Sequence, residues 1–156
     1  DWVCADGTVY DPSMIDMFNR IRGKACVSQN TDRNWSHSPS IAIDSLDNPH
    51  IAWYDELFNI NRNVNIDILY TRWNSSKWVC ADGTLYYDPL TDNAHVSRKS
   101  GESIIDSHVS LSLAIDSSDN PHIVWSNASS RIHGDIMYAR WNGSDWVCAD
   151  GEVYDP

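Results

Sequence analysis

Asp44 with Asp47, and Asp116 with Asp119, are paired carboxylates in matching contexts, each pair followed by an asparagine (Asn48, Asn120). Hard oxygen donors clustered on a loop suit Ca²⁺. Asp6/Asp11, Asp82/Asp88 and Asp150/Asp155 form a second repeated set of the same character. The spacing is not that of an EF-hand loop, and tight turns select Asp and Asn for backbone hydrogen bonds. Turn chemistry is thus the plainer reading of both sets, and calcium is the one cofactor they would suit. His50 and His122 each follow a proline at equivalent positions. A ligand or catalytic base is rarely duplicated in every repeat, so both are expected to be hydrogen-bonded structural residues. No Gly-x-Ser-x-Gly elbow occurs, and no nucleophile stands apart from the repeated pattern. The expectation is a protein that is not an enzyme and has no catalytic residue.

Cysteine offers a different chemistry. Cys4, Cys80 and Cys148 occupy one repeated site, Cys26 stands outside it, and no Cys-x-x-Cys spacing suggests a zinc ribbon or haem attachment. Cys4–Cys26 is the preferred disulfide, because both lie in one repeat interval; closing a loop of that size stabilises by roughly 3 kcal/mol. Cys148 stands where Cys4 stands and would seek the Cys26 of a following unit. The alternative is buried free thiols. Asn34, Asn74, Asn127 and Asn142 each open an Asn-x-Ser glycosylation sequon. Asn74 and Asn142 fall at the same hairpin tip, the exposed kind of site that modification requires. With the cysteines they favour an extracellular or cell-surface location. Seven of the eight tryptophans lie in repeated positions, where packing between sheets is the expected use. Trp35, Tyr54 and Tyr87 lie outside the strict pattern and are the candidates for stacking on a glycan.

The elements that carry these residues follow from internal repetition. Trp2-Val-Cys-Ala-Asp-Gly-Thr-Val-Tyr-Asp-Pro12 returns at 78–89 and at 146–156. Between the copies, Ser40–Trp53 matches Ser112–Trp125, and Asp67–Asn74 matches Asp135–Asn142. Asp1-Trp2 reappears as Asp145-Trp146 while the middle copy has Lys77 there, which suggests a pair of unequal repeats as the natural unit. Ile41, Ile43, Ile51 and Trp53 alternate with small or polar residues, the period of a half-buried strand. Asp44-Ser-Leu-Asp-Asn-Pro49 joins them as a turn. Asp67–Trp73 is a further strand, and Asn74–Lys77 or Asn142–Asp145 is a tight hairpin leading into a strand from Trp78 or Trp146. The fold class is therefore all-β, with four-stranded antiparallel propeller-type blades, two full repeats and one extra N-terminal strand. Residues 13–38 and 90–110 read as linkers, each with a short strand (25–28, 94–97). One short helix within 13–22 would be an embellishment.

These blocks resemble the blades of extracellular bacterial and archaeal β-propellers of the sialidase-like, BNR-type superfamily. The likeness is carried by Ser40-Ile-Ala-Ile-Asp44, Asp47-Asn-Pro-His-Ile-Ala-Trp-Tyr-Asp55 and Asp67-Ile-Leu-Tyr-Thr-Arg-Trp-Asn74, and it covers 39–89 and 110–156. It implies blade architecture; such blades serve lectins, enzymes, adhesins and scaffolds alike. The sialidase Asp-box is not matched, and Arg72 and Arg140, one per repeat, do not form the arginine cluster a sialidase needs.

Composition narrows the partners. The net charge is −11, from 22 acidic and 11 basic residues, which disfavours nucleic acid and anionic membranes. No apolar run is long enough to insert in a membrane, and no signal peptide or initiator Met is present, so a mature or excerpted segment is expected. The division is 1–12, a strand completing a neighbouring blade; 13–89, the first repeat with its linker; and 90–156, the second. An unpaired edge invites another copy of the chain. The expected function is a non-enzymatic structural repeat module of an extracellular filament or cell-surface protein, assembling by strand complementation between units. A carbohydrate-binding, lectin-like propeller is the alternative, with glycans as partners.

Overall fold

A computed structural model of the chain describes residues 34–58, 64–86, 94–97, 110–130 and 133–154, together with 3–5, 7, 9, 27 and 28. Among these residues, eight strands make two four-stranded antiparallel sheets. The first holds β1 (Asn34–Ile43), β2 (Pro49–Phe58), β3 (Val64–Trp73) and β4 (Trp78–Val79). The second holds β5 (Leu111–Ile115), β6 (Pro121–Ser130), β7 (His133–Trp141) and β8 (Trp146–Val147). Each sheet is a meander in chain order, and no α-helix occurs among the described residues. The possible helix within 13–22 lies outside them.

Turn chemistry sets the register. In the β1–β2 turn, the Asp47 N–H reaches the Asp44 carbonyl at 3.2 Å, and the Asp44 N–H reaches the Asn48 carbonyl at 3.1 Å. Asp47 has φ 64°, and its counterpart Asp119 has φ 62°. This is a three-residue loop ending in a left-handed residue, a conformation Asp tolerates better than most side chains. The β3–β4 turn is shorter: the Asn74 N–H donates to the Lys77 carbonyl at 3.0 Å, and the Asn142 N–H to that of Asp145 at 3.1 Å. Its first central residue has positive φ, 70° at Ser75 and 102° at Gly143. Gly143-Ser144, rather than Asn142-Gly143, is therefore the two-residue loop, a type II′ pattern.

The Trp-Val-Cys motif departs from the expected straight strand. It turns back on itself after two paired residues, with Val3↔Val9, Val79↔Leu85 and Val147↔Val153 bridged. The N–H of Gly7, Gly83 or Gly151 donates to the carbonyl of Cys4, Cys80 or Cys148, and Gly83 has φ 83°. The expected strand at 94–97 is a short outer segment, bridging His95 to Leu69 on β3.

The two sheets stack with opposite faces in contact. Ala52, Tyr54, Ile68 and Tyr70 of the first sheet pack against Leu113, Ile123, Trp125 and Ala139 of the second. Trp53, the counterpart of Trp125, points away from that interface into a second cluster with Leu69, Cys80 and Tyr86. The side of a sheet that faces its neighbour in one repeat is thus turned away in the other. The N-terminal motif differs in its surroundings: Val3 is 61% exposed, while its counterparts Val79 and Val147 are 3% and 1% exposed.

Gly83 carries the first test. An added Cβ meets nothing within 4 Å, so only its left-handed backbone resists substitution. Gly83→Ala is expected to cost about 1–2 kcal/mol, read as a lowered urea midpoint with an unchanged slope.

Candidate functional site

The repeated aspartates, histidines and tyrosines converge where the two sheets meet, along the ends carrying the β1–β2 and β5–β6 turns. Asp44 is held by its own turn: its Oδ1 accepts the N–H of Leu46 at 2.9 Å and of Asn48 at 2.8 Å, and the Asn48 amide bonds both carboxylate oxygens. Burial pushes the Asp44 carboxyl upward, but the Asn48 side chain and these N–H groups outweigh it and hold it at about 2. Asp116 repeats the arrangement with Ser118 and Asn120, and backbone and side-chain hydrogen bonds from Asn120 hold it well below the usual carboxylate range.

From Asp44 a buried chain runs inward. The second oxygen of Asp44 lies 3.4 Å from His50 Nε2, and His50 Nδ1 lies 2.6 Å from the Tyr70 hydroxyl. Burial raises Tyr70 far above the ordinary tyrosine value, so its O–H stays protonated and donates to Nδ1. Nε2 then carries the ring proton and donates to Asp44. Burial also lowers His50, despite the hydrogen bond and charge of Asp44, so the ring is held neutral. This geometry ties β2 to β3 and to the turn before β2. The second sheet repeats it with Asp116, His122 and Tyr138, at 3.3 Å and 2.8 Å. The same hydrogen-bonded group thus ties strand to strand and turn in both sheets.

Beyond the apolar core, polar and ring contacts also cross between the sheets. Asp119 accepts the Ser45 backbone N–H at 2.8 Å and the Ser45 hydroxyl at 2.7 Å, one oxygen each. The Leu113 N–H donates to Ser40 Oγ at 3.0 Å. The Tyr70 and Trp146 rings meet edge to face, with centroids 5.5 Å apart. Beside this seam a polar cleft of about 530 Å³ is lined by Asp44, Arg72, Asp82, Asp119 and Trp141 among others.

The remaining candidates separate clearly. Asp47 and Asp119 close equivalent turns, but only Asp119 makes side-chain bonds, and they go to the neighbouring sheet. Asp82 Oδ1 is taken by the N–H and hydroxyl of Thr84 at 2.9 Å and 2.7 Å. Among the described residues no three His, Cys, Asp or Glu side chains converge to hold a metal ion. Cys4, Cys80 and Cys148 are free thiols, so the expected Cys4–Cys26 bridge is not formed; Cys26 lies outside the described residues. Cys80 is enclosed in an apolar cluster with Trp53 and Leu69, whereas Cys4 is half-buried. Trp35 is exposed as expected, but Tyr54 is not: it lies on the face covered by the second sheet. Tyr87 lies outside the described residues.

Of the repeated tryptophans, Trp53, Trp73, Trp125 and Trp146 are buried, and Trp78 and Trp141 are half-buried; Trp2 lies outside the described residues. Asn74 and Asn142 are exposed at their tips. Each accepts turn N–H groups through Oδ1, with no hydrogen bond from Nδ2. Asn34 opens β1 and Asn127 lies in β6. Sequence reasoning passed over one group: Asp55 and Asp67, opposite each other on β2 and β3, are both buried, with His95 Nδ1 3.2 Å from Asp67. Asn127 stands where Asp55 would recur, and that break in the repeat is the signal that marked the position.

Folded His50 takes up a proton less readily than the unfolded chain, so stability should fall as pH drops below 6.5. Denaturant midpoints measured from pH 8 to pH 5 should show that decline, and His50→Gln should flatten it. No protein-family model matches this sequence, and no curated protein matches it.

Proposed function

We propose that this chain is a non-enzymatic structural repeat module of an extracellular filament or cell-surface protein. Its two sheets act as propeller-type blades, and its units assemble by strand complementation, the Trp-Val-Cys hairpin of one unit completing a sheet of the next. The observation that carries this reading is the contrast at one repeated valine. Val79 and Val147 are buried against β3 and β7, while Val3 keeps the same hairpin pairing and remains 61% exposed. An apolar strand edge in that condition favours pairing with another chain. The symmetric, saturated Asp–His–Tyr groups support a scaffold over an enzyme.

A second reading, a carbohydrate-binding propeller, draws on the cleft beside the seam, where Trp141 and Arg72 line one cavity, and on exposed Trp35. The two readings part on assembly. Sedimentation velocity and negative-stain electron microscopy over a concentration series should show elongating multimers. A variant lacking residues 1–12, with its β content checked by circular dichroism, should stay small. A folded monomer at every concentration would sink the assembly reading; discrete closed particles that bind a glycan array would favour the second.

A further inference from the structure

The contacts that join the two sheets have counterparts one repeat away, and the counterparts are unfilled. Ser45 of the first sheet corresponds to Ser117 of the second, and Asp119 corresponds to Asp47. Ser45 and Asp119 are bonded to each other. Ser117 and Asp47 are both exposed, and among the described residues neither side chain makes a hydrogen bond. Ser40, which accepts the Leu113 N–H, corresponds to Ser112, which is exposed and likewise without a side-chain bond.

The apolar surface divides in the same way. Leu113 sits in the interface at 7% exposure, while its counterpart Ile41 is 63% exposed. Ile68 is 2% exposed on the covered face of the first sheet, and its counterpart Ile136 is 75% exposed on the second. Val124, beside it, is also exposed. The second sheet therefore presents an unused face of the kind the first sheet has covered. The first sheet presents, on its β1 edge, an unused copy of what covers it.

We infer that a second copy of this chain docks its β1–β2 turn and β1 edge on the free face of the second sheet, with Asp47 of one copy clasping Ser117 of the other. The inference rests on the assembly reading above and assigns its contact. The halves lie on different sheets and opposite faces, so the contact is heterologous. Repetition of the heterologous contact propagates into a row. On the first sheet, the docking side, the chain's own outer segment is already seated. Val27, counterpart of Val96, packs on the Trp53 cluster, and the Tyr86 hydroxyl donates to the Ser28 carbonyl at 2.9 Å.

The test is site-directed crosslinking. Ser117→Cys and Asp47→Cys proteins are mixed at an assembling concentration and oxidised. Each alone, and the unsubstituted protein with its native thiols, serve as background. The expected result is a reducible dimer enriched in the mixture over all three. In addition, Ser117→Asp places like charges across the contact and should weaken assembly by about tenfold, with the far-ultraviolet spectrum unchanged. Assemblies that form without the mixed dimer, or that tolerate Ser117→Asp, overturn the clasp and leave strand complementation standing. Absence of assembly in the unsubstituted protein overturns both.

Discussion

Each sheet of this protein carries apolar side chains on both of its faces, and a sheet with two apolar faces must be covered twice. Ile51, Trp53 and Leu69 line one side of the first sheet; Ala52, Tyr54, Ile68 and Tyr70 line the other. The second sheet covers the latter. The returning hairpin through Tyr86, with Ala94 and Val27, covers the former. The second sheet has its Trp125 side filled, by the first sheet and by Tyr154, at 5.6 Å between ring centroids. Its Val124 and Ile136 side is bare. The fold therefore has direction: within the chain the two sheets stack with opposite faces in contact, not equal ones.

Turns supply the precision with which the sheets register on one another. The Asp44 carboxylate organises the β1–β2 corner and reaches His50, so hydrogen bonds join the turn, the start of β2 and, through Tyr70, β3. The adjacent Ser45 projects from that corner to meet Asp119 on the next. A residue in the left-handed region does the complementary work. Asp119 both closes its own loop and offers two carboxylate oxygens to the neighbouring serine. One repeated pentapeptide thus combines a rigid corner with a donor and an acceptor, enough for each repeat to grip the one before it.

Much of this was legible in the order of residues. Period-two alternation located β1 and β2, branched and aromatic residues located β3, and Asp-Asn-Pro located the corner, because strand and turn preferences act over a few neighbouring residues. The hairpin inside the Trp-Val-Cys motif was missed although its signal, Asp-Gly in three copies, was present; a strand reading hid a turn that only a left-handed glycine can close. Tyr54 could not be placed, since its burial depends on which face of a distant sheet arrives over it. Asp55 and Asp67 meet only through the pairing of β2 with β3, and His95 joins them from a segment remote in sequence. Non-local packing decided all three.

One cysteine site occurs in three degrees of enclosure. Cys80, in the middle, is sealed in an apolar cluster, and burial raises its thiol above the ordinary value; Cys4 and Cys148 are each only half covered. Reactivity at sulfur follows thiolate content and access. Oxidants therefore meet a graded target in which interior positions are protected by their neighbours and the extremities are not.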